Sequence, residues 1–295
     1  MLTREIARQV RLLEIVVRRL VTDQLAGQYE SVFKGQGIEF DEVRAYQTGD
    51  DVRLVDWKVT ARSGDLHIKR FVEERELTVI VAVDVSGSFD LGTASRSKRA
   101  VAAEVAAVLA FSAIRNNDRV GLLMFSEDVE HYIPPRKGRR HVLRVISDVL
   151  SHRSRSRGTR LSAALEFVRH VQRRRAVVFL LSDFLDDGFE QPLRLLRMKH
   201  DVIPILMQDP FELEVPAIDA VVPMRDLETG ETTLVDLGDR RTREALAEQR
   251  RRRGEDLDAL FRRLKLDLVR VRTDQPWVPE IAGWFRRRAA RSRGR

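Results

Sequence analysis

The chain contains no cysteine, so no disulfide framework, thiol nucleophile or sulfur-bound zinc is available to it. Long uncharged apolar runs are missing too, and no stretch approaches the roughly 18 residues of a membrane helix. The N-terminal stretch is interrupted by Arg4, Glu5, Arg8, Arg11 and Glu14, which leaves no apolar segment for a secretory signal. No GxxxxGK[ST] phosphate loop occurs, so ATP hydrolysis has to come from elsewhere, and neither Ser86 nor Ser88 sits in a GxSxG elbow. The six histidines, His67, His131, His141, His152, His170 and His200, are scattered without close metal-ligand spacing. With 43% hydrophobic and 33% charged residues over 295 positions, the expectation is a soluble cytoplasmic chain that fills one large domain or two.

What is there begins with an apolar run, Leu77 to Val83 with a single Thr, that ends in Asp84-Val85-Ser86-Gly87-Ser88. A buried strand then delivers one carboxylate and two hydroxyls to one turn. A hard divalent cation such as Mg²⁺ prefers oxygen ligands, and alternate positions of a turn can converge on one point. The plainer reading is that Ser and Gly after a strand cap a helix or form a turn. Two further oxygen residues bear on that choice. Thr159 follows Gly158 and precedes an amphipathic helix carrying Leu161, Leu165 and Val168, while Asp183 closes a second apolar strand, Ala176 to Leu181 followed by Ser182. Alone, Thr159 is an N-cap. In a doubly wound α/β domain, both residues return to the sheet edge that carries Asp84.

The order DxSxS, then Thr, then Asp resembles the von Willebrand factor A domain and its metal-ion-dependent adhesion site. The resemblance implies that Ser86, Ser88 and often Thr159 bind the metal directly, that Asp84 and Asp183 act directly or through water, and that the sixth position takes an acidic residue of a partner. Mg²⁺ is the implied ion, with Mn²⁺ or Ca²⁺ as substitutes. Upstream, Gly49-Asp50-Asp51-Val52-Arg53-Leu54-Val55-Asp56-Trp57, followed by Thr60-Ala61-Arg62, is similar to the signature of bacterial "domain of unknown function 58" proteins. Members of that family accompany MoxR-type AAA+ ATPases, which implies a chaperone-like or assembly role. The resemblance covers most of residues 27 to 208.

The expected fold class is α/β and von Willebrand factor A-like (Rossmann-like): a mainly parallel sheet flanked by helices, with a small N-terminal β-rich module and an inserted β-hairpin. Residues 1–26 read as an amphipathic helix, because Leu2, Ile6, Val10, Leu13, Val17 and Leu20 recur at helical spacing. Packing on the body or on a partner is its expected use, and peripheral membrane contact through Arg11, Arg18 and Arg19 stays open. Residues 27–76 form the β-rich module, with strands expected near Ile38 to Tyr46, Val52 to Trp57 and Leu66 to Val72 and with Trp57 as a core or interdomain anchor. Asp50, Asp51 and Asp56 there suit salt bridges or turn caps better than a second metal site.

Residues 77–290 alternate strand and helix and form the A-like domain. Its first helix presents Val101, Val105, Val108 and Ser112 along one stripe, and an antiparallel edge strand over Val129 to Ile133 is expected to stop at Pro134-Pro135. Thr229-Gly230 marks the tip of a hairpin inserted near 209–238. A long charged helix over Thr242 to Leu264, a last strand over Leu266 to Val271 and a closing helix beginning with Trp277, Ile281 and Trp284 follow. Residues 291–295 are a basic tail.

The net charge of +8 is concentrated toward the end, in Arg250 to Arg253, Arg286 to Arg288, Arg291, Arg293 and Arg295. Such runs bind phosphate backbones or acidic lipid, but no nucleic-acid reading motif accompanies them and a solvated helix face fits them better. The run Arg153, Arg155, Arg157 and Arg160 around Thr159 is the expected partner-binding set, suited to an acidic client surface. Asp84 as the aspartyl nucleophile of a phosphotransferase lacks a second Asp two positions on and a recognisable lysine, and a metal-dependent hydrolase, a separate alternative, would require turnover that Asp84→Ala abolishes. A non-catalytic interaction protein is the expected function.

Overall fold

A computed structural model describes residues 4–21, 26–33, 39–72, 76–92 and 96–293. Leu2, Ile38 and Arg295 lie outside the described residues. Two helices open the chain, α1 (Arg4–Leu20) and α2 (Ala26–Phe33). Val10 and Val17 of α1 and Tyr29, Val32 and Phe33 of α2 are buried in the main core, so this amphipathic segment packs on the body. An antiparallel pair follows, β1 (Glu39–Ala45) with β2 (His67–Val72).

Between β1 and β2 the expected strand over Val52 to Trp57 is absent. Val52–Leu54 form a short 3-10 helix and Trp57–Ser63 form α3, leaving only a single bridge from Val55 to Ile68. The reason is capping: the Asp51 carboxylate accepts from the Arg53 N–H, and Asp56 accepts from the N–H groups of Lys58 and Val59. Each aspartate satisfies helix-start donors that a strand would have pointed elsewhere. Asp50 forms a bidentate pair with Arg44, at 2.7 and 2.9 Å. All three carboxylates therefore cap or pair. Trp57 is 70% exposed, contrary to the expected core or interdomain anchor.

The remaining elements are β3 (Thr78–Asp84), α4 (Lys98–Arg115), β4 (Arg119–Phe125), β5 (Val129–Arg136), α5 (Arg139–Ser151), α6 (Leu161–Val171), β6 (Val177–Ser182), α7 (Glu190–Lys199) and β7 (Asp201–Gln208). They are followed by α8 (Pro210–Leu213), β8 (Val221–Arg225), β9 (Thr232–Asp236), α9 (Arg240–Arg263), β10 (Val269–Arg272) and α10 (Val278–Arg293). The main sheet runs β10-β7-β6-β3-β4-β5 and is parallel except for β5. This is the expected von Willebrand factor A-like layering, with β3 near the centre. Along β3, Val79, Val81 and Val83 face one core layer with α4, α5 and α10, while Ile80 and Ala82 face the other with α6, α7 and α9.

Two details depart from the pattern of the sequence. Helix α4 is buried nearly all round, not along one stripe, because α1, α2 and α5 cover the side that faces away from the sheet. Strand β5 runs through Pro134-Pro135 to Arg136, since an edge strand has no outer neighbour that needs the missing N–H groups. The hairpin β8–β9 forms as expected, with Thr229-Gly230 at its tip. Its strands are largely exposed, and only Leu237 at the base is buried.

Candidate metal centre

Parallel strands deliver their carboxyl ends to one rim, and β3 and β6 are neighbours in register there. Asp84 ends β3 and Asp183 follows β6. The turn after Asp84 closes on itself: the Ser86 N–H donates to Asp84 Oδ1 at 2.9 Å, and Ser182 Oγ donates to Asp84 Oδ2 at 2.8 Å. Ser86 Oγ and Ser88 Oγ are 3.1 Å apart, and Ser88 Oγ donates to Asp183 Oδ2 at 2.6 Å. Asp84, Ser86, Ser88 and Asp183 are thus one buried hydrogen-bonded cluster. Four of the five metal-site residues expected from the sequence meet here.

Thr159 stands on the adjoining loop. That loop is tied to the first turn by the Gly87 N–H, which donates to the Arg157 carbonyl at 2.9 Å. The Thr159 hydroxyl itself donates to Glu228 Oε1 at 2.8 Å, across to the hairpin tip. Glu130 holds the loop in place. Burial alone would raise its carboxyl, but hydrogen bonds from Ser126, His152, Ser154 and the Arg155 N–H outweigh burial and keep it at about 2. Arg153, Arg155, Arg157 and Arg160 are all exposed. Arg160 pairs with Asp128 and donates to the Glu127 carbonyl, and Arg157 lies beside Gly230 of the hairpin. Arg153 and Arg155 face solvent.

Sequence reasoning missed Lys98, which is fully buried at the start of α4. Its ammonium donates to Asp183 Oδ2 at 2.8 Å and to Glu212, and it lies 5.6 Å from the centre of the Phe89 ring. Burial works against that charge, yet Asp183 and Glu212 together hold the lysine above its ordinary pKa. Its one mark in the sequence is that a lysine in the first turn of a helix opposes the helix dipole, which does not say which carboxylates it meets. The lysine that phosphotransfer chemistry would want is therefore present, but it binds Asp183 and Glu212 and is sealed from solvent.

The donor set fits a hard divalent cation. Asp183 and Glu212 share one ammonium, while Asp84 accepts from the neutral donors Ser86 and Ser182, so the rim holds more carboxylates than buried cations. Burial, and after it the charge of Asp183, push Asp84 up to about 7. Among the described residues, no group of three or more Asp, Glu or His side chains is placed to hold a metal. Any ion here must therefore draw on the Ser and Thr hydroxyls as well as on the two aspartates, which suits Mg²⁺ better than zinc.

The C-terminal arginines are largely engaged within the chain. Arg251 pairs with Glu248 and Glu255, Arg252 with Glu248, Arg288 with Asp201 and Arg291 with Asp267. Arg250 lies over the Phe211 ring, 5.3 Å from its centre.

An uncharacterized protein of Mycobacterium tuberculosis, Rv1480, is 33% identical over 294 residues, covering 98% of this chain and 91% of its own length. MAV169 of Mycobacterium avium, also uncharacterized, is 28% identical over 159 residues, 53% of this chain and 93% of its own. Among solved structures, BatB of Bacteroides thetaiotaomicron aligns at 15% identity and a TM-score of 0.46, covering 74% of this chain and all of that one. The SpRpn10 VWA domain aligns at 11% identity and 0.39, covering 71% of this chain and 95% of that one. A family model described as "Protein of unknown function DUF58" matches residues 42–256, a span that holds β3, both aspartates, Thr159 and the hairpin. By that match and by its likeness to the mycobacterial protein along nearly its whole length, the chain belongs to the DUF58 family.

Proposed function

We propose that the chain is a non-catalytic docking module. Asp84, Ser86, Ser88, Thr159 and Asp183 hold a divalent cation, Mg²⁺ or in its place Mn²⁺ or Ca²⁺, and the cation with the exposed Arg153 and Arg155 receives an acidic residue of a client. The observation that carries this reading is the cluster of two aspartates and two serines at the sheet rim, with negative charge in excess of its one buried lysine. The lysine supports a binding role over a catalytic one, because an ammonium locked between Asp183 and Glu212 has no path to a substrate. The bound ion would supply an electrophilic point for a partner carboxylate. The protein's own part is to hold the hydroxyls and carboxylates in place.

The coupling partner proposed is a MoxR-type AAA+ ATPase, on the ground of the family resemblance, with the pair acting in cytoplasmic assembly or maturation of client proteins. No helix among the described residues is long and apolar enough to cross a membrane. Binding of a purified MoxR-type ATPase to the immobilised chain tests this reading. Capture that is lost with EDTA and in Asp84→Ala is expected. Equal capture by wild type and Asp84→Ala would oppose a role for the metal, and substrate turnover abolished by Asp84→Ala would oppose the non-catalytic assignment.

A further inference from the structure

The hairpin β8–β9 reaches back over the candidate metal centre, and nothing in its own packing requires it to do so. Its strands bury almost no side chain, and its base is held by Leu237 and by the Leu237 N–H donating to the Ala220 carbonyl. The tip is nonetheless built with care. Asp226 Oδ1 accepts from the N–H groups of Glu228 and Thr229, at 2.8 and 2.9 Å, and Gly230 takes the left-handed conformation, φ +79°, that lets the chain return. This tip presents Glu228.

Three contacts seat the tip on the site. Glu228 accepts from the Thr159 hydroxyl. The Leu227 carbonyl lies so close to Gly87 that a Cβ there would collide with it, so the glycine of the Ser-Gly-Ser turn is what lets the hairpin settle. Gly230 lies against the Arg157 guanidinium, and the Arg157 carbonyl accepts from that same Gly87. A carboxylate from the chain itself thus stands at Thr159, beside the turn where the resemblance would place a partner's acidic residue.

The geometry points to Glu228 as an internal acidic occupant of the docking site, so that a partner engages by presenting its own carboxylate and displacing the hairpin tip. This rests on the proposed metal-dependent docking at the same site. The hairpin suits displacement, because an element with few buried apolar contacts opens at low free energy without unfolding the domain. The occupant also sets the partner's chemistry: it must be an acidic segment thin enough to replace a two-stranded tip at the rim, beside Arg157.

The test uses the full chain, with fluorescently labelled poly-L-glutamate as the acidic probe, with and without Mg²⁺. Glu228→Gln is compared with Glu231→Gln, which makes the same charge change on the same tip at an exposed side chain. Mg²⁺-dependent probe binding is expected to tighten about tenfold in Glu228→Gln and to stay at the wild-type level in Glu231→Gln, a difference of about 1.4 kcal/mol. Amide hydrogen exchange over residues 226–231 is expected to speed up in Glu228→Gln and to slow on adding Mg²⁺ to wild type. Equal probe binding by the two variants, with tip exchange unchanged, would overturn the hairpin assignment while leaving a metal site that requires Asp84 intact. Failure of wild type to bind Mg²⁺, or equal Mg²⁺ binding by Asp84→Ala, would overturn the docking proposal and the hairpin assignment with it.

Discussion

At the scale of single residues, buried charges and the groups that balance them dominate the energetics of the rim. Lys98 is the sharpest case, since its one ammonium bridges Asp183 and Glu212. Lys98→Met keeps the volume but strands two carboxylates, and it is expected to cost about 3–5 kcal/mol in urea unfolding, well above Glu212→Gln, which leaves the Asp183 pair intact. Asp118 and His200 carry opposite pH dependence. Burial pushes Asp118 up to about 6 although it accepts from Tyr29 and from the Leu77 N–H, so between about pH 4 and 6 the folded chain keeps a proton that the unfolded chain has lost. Its contribution therefore falls as pH rises through that window. His200 is buried with neither ring nitrogen hydrogen-bonded, and burial, with help from Lys199 and Arg175, lowers it to about 4. Its unfolded form takes up a proton first, so its contribution is lost as pH falls from about 6.5 to 4. The two trends offset each other in wild type. Asp118→Asn is expected to make stability rise more steeply with pH across 4 to 6, and His200→Leu to make it fall, as read by urea midpoints at pH 4.5 and 6.5.

At the scale of elements, the N-terminal helix and the segment before α3 show what burial decides. Helix α1 sets Val10 and Val17 into the main core and leaves Leu12, Ile15 and Val16 exposed. Val17→Asp is expected to cost about 3 kcal/mol or more, whereas Ile15→Glu and Trp57→Ala are expected to stay within about 0.5 kcal/mol, measured by denaturant unfolding. An Ile15 variant as costly as Val17→Asp would mean that the helix packs by another face. These elements also show how far the chain could be read in advance. The strands ending at Asp84 and Asp183 were legible because a fully buried strand is an unbroken apolar run that stops at polar residues, and α1 was legible from its periodicity. Val52 to Trp57 misled because apolar residues dominate it, Val52, Leu54, Val55 and Trp57, and the capping carboxylates of Asp51 and Asp56 overrode that pattern. Four of the metal-site residues could be placed together because parallel topology brings strand ends to one rim. Lys98 and Glu228 could not, since neither stands at the end of a sheet strand: Lys98 opens a helix and Glu228 lies at a hairpin tip, and only the packed fold brings them to Asp183 and Thr159.

At the scale of the whole molecule, a six-stranded sheet covered on both faces presents one rim where oxygen ligands, a buried lysine and a hairpin tip converge. The rest of the chain serves to hold that rim rigid: Glu130 ties down the Thr159 loop, and the Asp209–Glu212 capping box on α8 fixes the carboxylate that pairs with Lys98. A ligand that binds only the folded state stabilises it, so Mg²⁺ at about a hundred times its dissociation constant is expected to add about 2.7 kcal/mol and to raise the thermal midpoint by roughly 5 °C. Asp84→Ala is expected to lose that shift. The measurement that bears most directly on the central claim is calorimetric titration of Mg²⁺ into wild type and Asp84→Ala. One site per chain in wild type and none in the variant is the predicted result. Heat of binding that is absent from wild type, or unchanged in Asp84→Ala, would contradict the account and reduce the oxygen cluster to the capping of a turn.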